Sequence, residues 1–342
     1  METIWFALVA VMIAMYVVLD GFDLGAGIVH LLVARNDRER RLVLRSIGPV
    51  WDGNEVWLLA GGGTLYFAFP ALYASSFSGF YLPLMMVLWL LILRGISIEF
   101  RNHIESPVWM PFWDVLFGGA SALLAIFFGA ALGNVVRGVP LDGAGEFFLP
   151  LWTNFGLGRD VGILDWYTVL IAVAAFLTLM VHGALWVALK TDGGLEQRSR
   201  SLAKRGWWGL LAVTIVITWC SFRIQPHLSQ NFAIHPWGYV FPALAVVGLI
   251  GARLMSGARA FLASSLYIVG MLTSAAFGVY PYVLPSNTDP NLGLTIYNAA
   301  AAPYGLKVGL AWFIPGMLLV AAYFVYTYRS FAGKVSLEEE GY

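Results

Sequence analysis

Residues 4–33 read IWFALVAVMIAMYVVLDGFDLGAGIVHLLV, thirty positions interrupted by two carboxylates and one imidazole. A helix rises about 1.5 Å per residue, so roughly 20 apolar residues span a hydrocarbon core of about 30 Å. This run is long enough to cross a bilayer. A membrane barrel would show alternating segments of about ten residues, and a continuous apolar run instead satisfies its backbone as a helix. Working outward, eight further runs bounded by charge or turn formers cover 47–69, 77–93, 112–136, 161–189, 206–224, 237–254, 261–284 and 304–328. The pattern predicts an all-α polytopic membrane protein with nine transmembrane helices.

The composition agrees. Of 342 residues 59% are hydrophobic, 15% aromatic and 12% charged, against about 25% charged in soluble domains. Cys220 is the single cysteine, which rules out an internal disulfide and a cysteine-based cluster. Zero formal net charge gives no sign of a nucleic-acid partner. No P-loop, HExxH or serine-elbow motif occurs, and the polar stretches 137–160 and 190–205 are loop-sized, so residues 1–342 are expected to form a single integral-membrane domain. Met1-Glu2-Thr3 supplies no basic region, so the first run is expected to be a retained helix and not a cleaved signal peptide. Alternating the loops puts 16 of the 20 Lys and Arg residues on one side. By the positive-inside rule the N-terminus is then outside and the C-terminus cytoplasmic. Gly21/Gly25 and Gly129/Gly133 are small-xxx-small pairs, but among 37 glycines such pairs arise by chance.

Ionisable groups inside apolar runs carry the functional signal, because each is costly there unless paired or hydrated. Asp20 and Asp23 lie in the first run, Asp52 and Glu55 near the start of the second. Counted from the basic ends, Asp20 sits roughly 22 Å deep and Asp52 roughly 10 Å. Carboxylates at graded depth are the layout of a proton-intake path. The alternative is structural: Asp52 and Glu55 stand where an acid complements a helix N-terminus, and for Glu55 that role is favoured. Glu99, Arg94 and Arg101 read as a snorkelling, paired cluster at the inner surface, and Asp114 as a helix-start acid.

Among five histidines only His30 and His182, both near the inner ends of their helices, merit testing as haem ligands; satisfied interfacial histidine is the better reading, and no metal site is expected. The 14 Trp, 15 Tyr and 23 Phe are mostly accounted for by interfacial belts. The residues by themselves leave three classes open: a subunit of a proton-coupled redox complex, a proton-coupled secondary transporter, and a structural membrane scaffold.

The stretches DGFDLG (20–25), RNDRERR (35–41) and SIGPVWDGNEVWLLAGGGTLYFAFPALYASSFSGFYLP (46–83), with GN (133–134), GVP (138–140), LPSNT (284–288) and LTIYNA (294–299), resemble subunit II of the cytochrome bd quinol oxidases. The resemblance spans nearly the whole chain and is most specific in its first third. It implies two four-helix bundles plus a peripheral helix. It also implies a haem-free partner, not catalytic by itself, of subunit I, which holds two b-type haems and one d-type haem in a bacterial inner-membrane heterodimer. That complex oxidises quinol, reduces dioxygen to water and generates membrane potential; small single-helix subunits, lipid and a structural quinone are compatible with it. By position, Asp20 and Asp52, with Asp23 beside them, correspond to acids lining a hydrophilic path to the haems, which removes most of the case for His30 and His182 as ligands. Two features depart from longer members: the short outer loop at 225–236, which is similar to the short form of the cyanide-insensitive branch, and Glu99, where some members carry Asp.

Overall fold

The computed structural model describes residues 1–158 and 160–336. Twelve α-helices follow in chain order: α1 (Glu2–Val33), α2 (Asp37–Ile47), α3 (Trp51–Ala68), α4 (Pro70–Gly79), α5 (Tyr81–Phe100), α6 (Trp109–Arg137), α7 (Trp166–Lys190), α8 (Gly193–Ile224), α9 (Pro226–Ile234), α10 (Val240–Leu254), α11 (Ala258–Val279) and α12 (Pro303–Ser330). Between α11 and α12 a small antiparallel hairpin pairs β1 (Tyr282–Leu284) with β2 (Leu294–Thr295). Eight helical segments among the described residues are long and apolar enough to cross a membrane. The chain is an all-α polytopic membrane protein. The 47–69 run becomes α3, whose 18 residues include Asp52, Asn54, Glu55 and three consecutive glycines; that polarity sets it apart from the other eight.

Local chemistry explains the boundaries. Asn36 caps α2 by accepting from the Glu39 N–H at 2.9 Å, while the Glu39 carboxylate accepts from the Arg35 N–H at 2.7 Å. Asp165 and Thr168 form a reciprocal capping box at the start of α7. Pro70 opens α4 and Pro303 opens α12, where a missing N–H costs nothing. The 190–205 stretch is not a loop: α8 begins at Gly193 and runs 32 residues without a break. Its first turns are charged and amphipathic, so hydropathy hides them while helix geometry continues. The same reason conceals α2.

α1 is the axis of the assembly, packing on α3, α6, α7 and α11, while α5 lies on α6, α8 on α7 and α10 on α11. The glycine pairs prove to be contacts. A Cβ on Gly25 would lie 2.1 Å from the Leu179 carbonyl oxygen and 2.7 Å from the Gly183 Cα, and one on Gly183 would meet the Gly25 backbone. Gly129 and Gly133 meet the α7 backbone at Ala172 and Thr168 in the same way. Lipid offers no hydrophobic drive for helix association, so this close backbone approach is what packs α1 and α6 against α7. α12 is peripheral, held by the Trp5 indole N–H on the Leu306 carbonyl at 3.1 Å and by ring contacts around Trp5, Trp57 and Phe313.

Gly25→Val is expected to destabilise the protein by more than about 3 kcal/mol, since backbone blocks the added atoms. Gly119→Ala, whose new methyl meets nothing within 4 Å, should change stability by no more than about 1 kcal/mol. Thermal unfolding of the two purified variants checks the contrast.

Candidate functional site

One turn of α1, one of α3 and the middle of α5 converge on a buried guanidinium. Arg94, fully enclosed, donates from Nη1 to Asp20 Oδ2 at 2.8 Å and from Nη2 to Asp20 Oδ1 at 2.6 Å. This bidentate fork is the strongest arrangement the two groups can make. Nη2 also donates to Glu55 Oε2 at 3.0 Å. Asp20 is completely buried, whereas the Glu55 side chain keeps 25% of its surface. Asp23, three residues along the same face of α1, accepts from Asn54 Nδ2 at 2.7 Å. The Asn54 carbonyl in turn accepts from the Tyr328 hydroxyl at 2.8 Å, which brings the last helix to the site. The Tyr16 hydroxyl, one turn before Asp20, and the second oxygen of Asp23 are buried with no hydrogen-bond partner among the described residues, so the site keeps unused hydrogen-bonding capacity.

Asp52 stands apart. It occupies the first turn of α3, where an acid complements the helix dipole, and its side chain is exposed without an ion pair among the described residues. Three residues later on the same helix comes Glu55. The acids therefore grade from exposed Asp52, through partly exposed Glu55, to enclosed Asp20. Glu55 is not only a helix-start acid; it is the link between the surface and the Arg94 pair.

The grouping of Glu99, Arg94 and Arg101 as one surface cluster does not hold. Arg94 points into the helix packing, Arg101 turns to Asp114 and Asp37, and Glu99 is exposed, with its backbone carbonyl accepting from His103 Nδ1 at 2.9 Å. Arg94 lies at C7 of a 20-residue helix, too far inside for its side chain to reach the surface when two acids face it. Asp114 is likewise not a terminal cap. It sits more than a turn into α6, contacting Arg101 Nε at 2.5 Å, His30 Nε2 at 2.6 Å and Arg40 Nη1 at 2.9 Å. A second enclosed group at the far end of α6 joins Arg137, Asp165 and Asn134.

Neither candidate haem histidine faces open space. His182 uses Nδ1 on the Ser264 hydroxyl at 2.7 Å and Nε2 on the Val18 carbonyl at 3.0 Å. His30 is engaged by Asp114, and no group of three His, Cys, Asp or Glu side chains able to hold a metal ion occurs among the described residues. The two imidazoles are packed into different networks and do not form an axial pair, so these residues do not fit a haem.

The family profile described as cytochrome bd terminal oxidase subunit II matches residues 1–331. The chain belongs to that family. Relatives include the probable cytochrome oxidase subunit 2 of Haemophilus influenzae, 31% identical over 97% of this chain and 94% of the relative. The cytochrome bd-I ubiquinol oxidase subunit 2 of Escherichia coli K12 is 29% identical over 98% and 95%, and the cytochrome bd ubiquinol oxidase subunit 2 of Bacillus subtilis 29% over 99% and 98%. Among solved structures, a chain of the bd oxidase from Geobacillus thermodenitrificans superposes with a TM-score of 0.71 at 19% identity, covering 96% of this chain and 98% of that one. The fold described above is therefore shared with a chain of that oxidase.

Breaking the enclosed pair should be costly, because removing one partner leaves the other charge unpaired in apolar surroundings. Arg94→Leu is expected to lower stability by about 3–5 kcal/mol, with part of the loss recovered in Arg94→Leu/Asp20→Leu. A double-mutant cycle on thermal unfolding measures that recovery.

Proposed function

We propose that this chain is the haem-free subunit II of a bd-type quinol:O2 oxidoreductase in a bacterial inner membrane, with residues 1–342 acting as one domain. α3 is the ninth crossing, the N-terminus is outside, and α1, α3, α5 and α6 and then α7, α8, α10 and α11 make two four-helix bundles beside peripheral α12. The heterodimeric partner, subunit I, carries two b-type haems and one d-type haem, which supply the electron transfer and oxygen chemistry of the complex. This chain supports that partner and conducts protons from the cytoplasm.

The observation that carries the reading is the graded accessibility of Asp52, Glu55 and Asp20 in a chain of this family. Each acid can accept and release a proton. The Arg94 guanidinium cannot give up its own, so it holds the local charge while the acids exchange protons around it. Asp23 and Asn54 extend the polar surface along α1 toward Tyr328. Protons taken from the cytoplasm for oxygen reduction, with quinol releasing its protons outside, build a membrane potential without a pump.

Asp20→Asn and Asp52→Asn are expected to slow quinol-driven oxygen consumption by at least about tenfold, the lower reach of a lost proton-transfer group. Haem content per complex should stay normal in the absorption spectrum. Unchanged turnover in both variants at normal haem content would remove the proton-path assignment and leave the scaffold reading.

A further inference from the structure

At the basic end of α7, α8, α10 and α11 lies a cavity of about 270 Å³ that the proton path does not touch. Three cationic side chains line it: Arg200 and Lys204 from α8 and Arg253 from α10. Among the described residues no acidic side chain does. Glu196, outside the lining, accepts from Arg200 Nη2 at 2.7 Å and so balances one of the three. Lys204 makes no ion pair among the described residues, and the Arg253 Nε is buried with no hydrogen-bond partner. A buried N–H of a cation left without an acceptor costs free energy that an anion would recover. Gly257, which precedes α11, and Ala260 in its first turn close the same cavity, with the Ala260 N–H spent on the Gly257 carbonyl at 3.1 Å.

The remaining wall is apolar. Leu185 and Leu189 of α7 and Trp207 of α8 form it, and the Trp207 indole N–H is spent on the Leu249 carbonyl at 2.7 Å, which leaves its ring as a hydrocarbon surface. Leu254, which also lines the cavity, is 77% exposed. Three cations, an apolar wall and an exposed apolar residue in one cavity match an amphiphile whose charged end is an oxyanion.

The geometry points to a binding site for the phosphate group of an anionic phospholipid, held by Arg200, Lys204 and Arg253 with its acyl chains running past Leu254. The site binds a structural lipid that ties α8 to the α10–α11 corner, and it is independent of the redox reading of the chain.

The test uses the detergent-solubilised protein with the subunits it carries, as wild type, Lys204→Gln/Arg253→Gln and Arg253→Lys. Phosphatidylglycerol retained through purification is quantified by mass spectrometry. After delipidation, thermal unfolding is followed during titration with micelles containing phosphatidylglycerol or phosphatidylcholine, or with inorganic phosphate. Wild type should retain about one phosphatidylglycerol more than the double variant, and the apparent affinity should fall about 25-fold in that variant, from about fivefold per basic residue lost. Arg253→Lys, which keeps the charge, should stay within about fivefold of wild type. Equal retention or equal affinity in wild type and the double variant overturns the site, as does equal stabilisation by phosphatidylcholine. Inorganic phosphate reproducing the whole stabilisation overturns the lipid as the source of the phosphate. Should the double variant fail to accumulate, Lys204→Gln, at an exposed position, gives the same comparison with an expected change of about fivefold.

Discussion

A guanidinium enclosed among membrane helices must be matched by acids, because it cannot lose its proton and cannot reach water. Arg94 imposes that requirement on α5, and Asp20 and Glu55 meet it from α1 and α3. Three helices are thereby set in register by one side chain. The polar turn of α3 follows from the same constraint: a helix carrying Asp52, Asn54 and Glu55 in its first two turns can only direct Asn54 and Glu55 toward α1 and α5. Once Asn54 is turned inward it reaches Asp23, so a second acid is satisfied by the same placement.

The glycine seam on α7 makes the arrangement possible. Gly21 and Gly25 lie on a different face of α1 from Asp20 and Asp23, as the helical spacing requires. Pressing the glycine face onto Leu179 and Gly183 fixes the rotation of α1, and the acids are then presented to α3 and α5. The packing of one face thus sets the chemistry of the other. In a bilayer, where side-chain burial does not drive association, backbone proximity of this kind is the available means of locking a rotation.

Much of this was legible beforehand, and the failures have physical causes. Apolar runs disclosed the long helices because lipid demands them, and Asp20 stood out because an acid in such a run needs a reason. Arg94 reads as a surface residue because it is only seven positions from Arg101 near the end of its apolar run, and linear distance to an interface does not say which way a side chain turns. Asp114 reads as a helix-start acid because the apolar run begins only at 112, whereas α6 already begins at Trp109. α2 and the beginning of α8 went unseen because a charged amphipathic helix has the hydropathy of a loop. The glycine pairs carry little signal in the sequence because a glycine-rich chain offers many, and only the tertiary crossing distinguishes Gly25 from Gly119. Tyr328 carried no signal at all: its partner is 274 positions away.

That separation has its own consequence. The hydroxyl that completes the Asn54 and Asp23 network comes from α12, made after α1 to α11, while Asp23 and Asn54 belong to α1 and α3. A nascent chain that has already made α1 to α11 therefore still holds an unfinished polar network, which closes only when α12 arrives. The Trp5 and Leu306 bond, across 301 positions, sits at the opposite end of the same helix, so the arrival of α12 is registered twice, once at each of its ends.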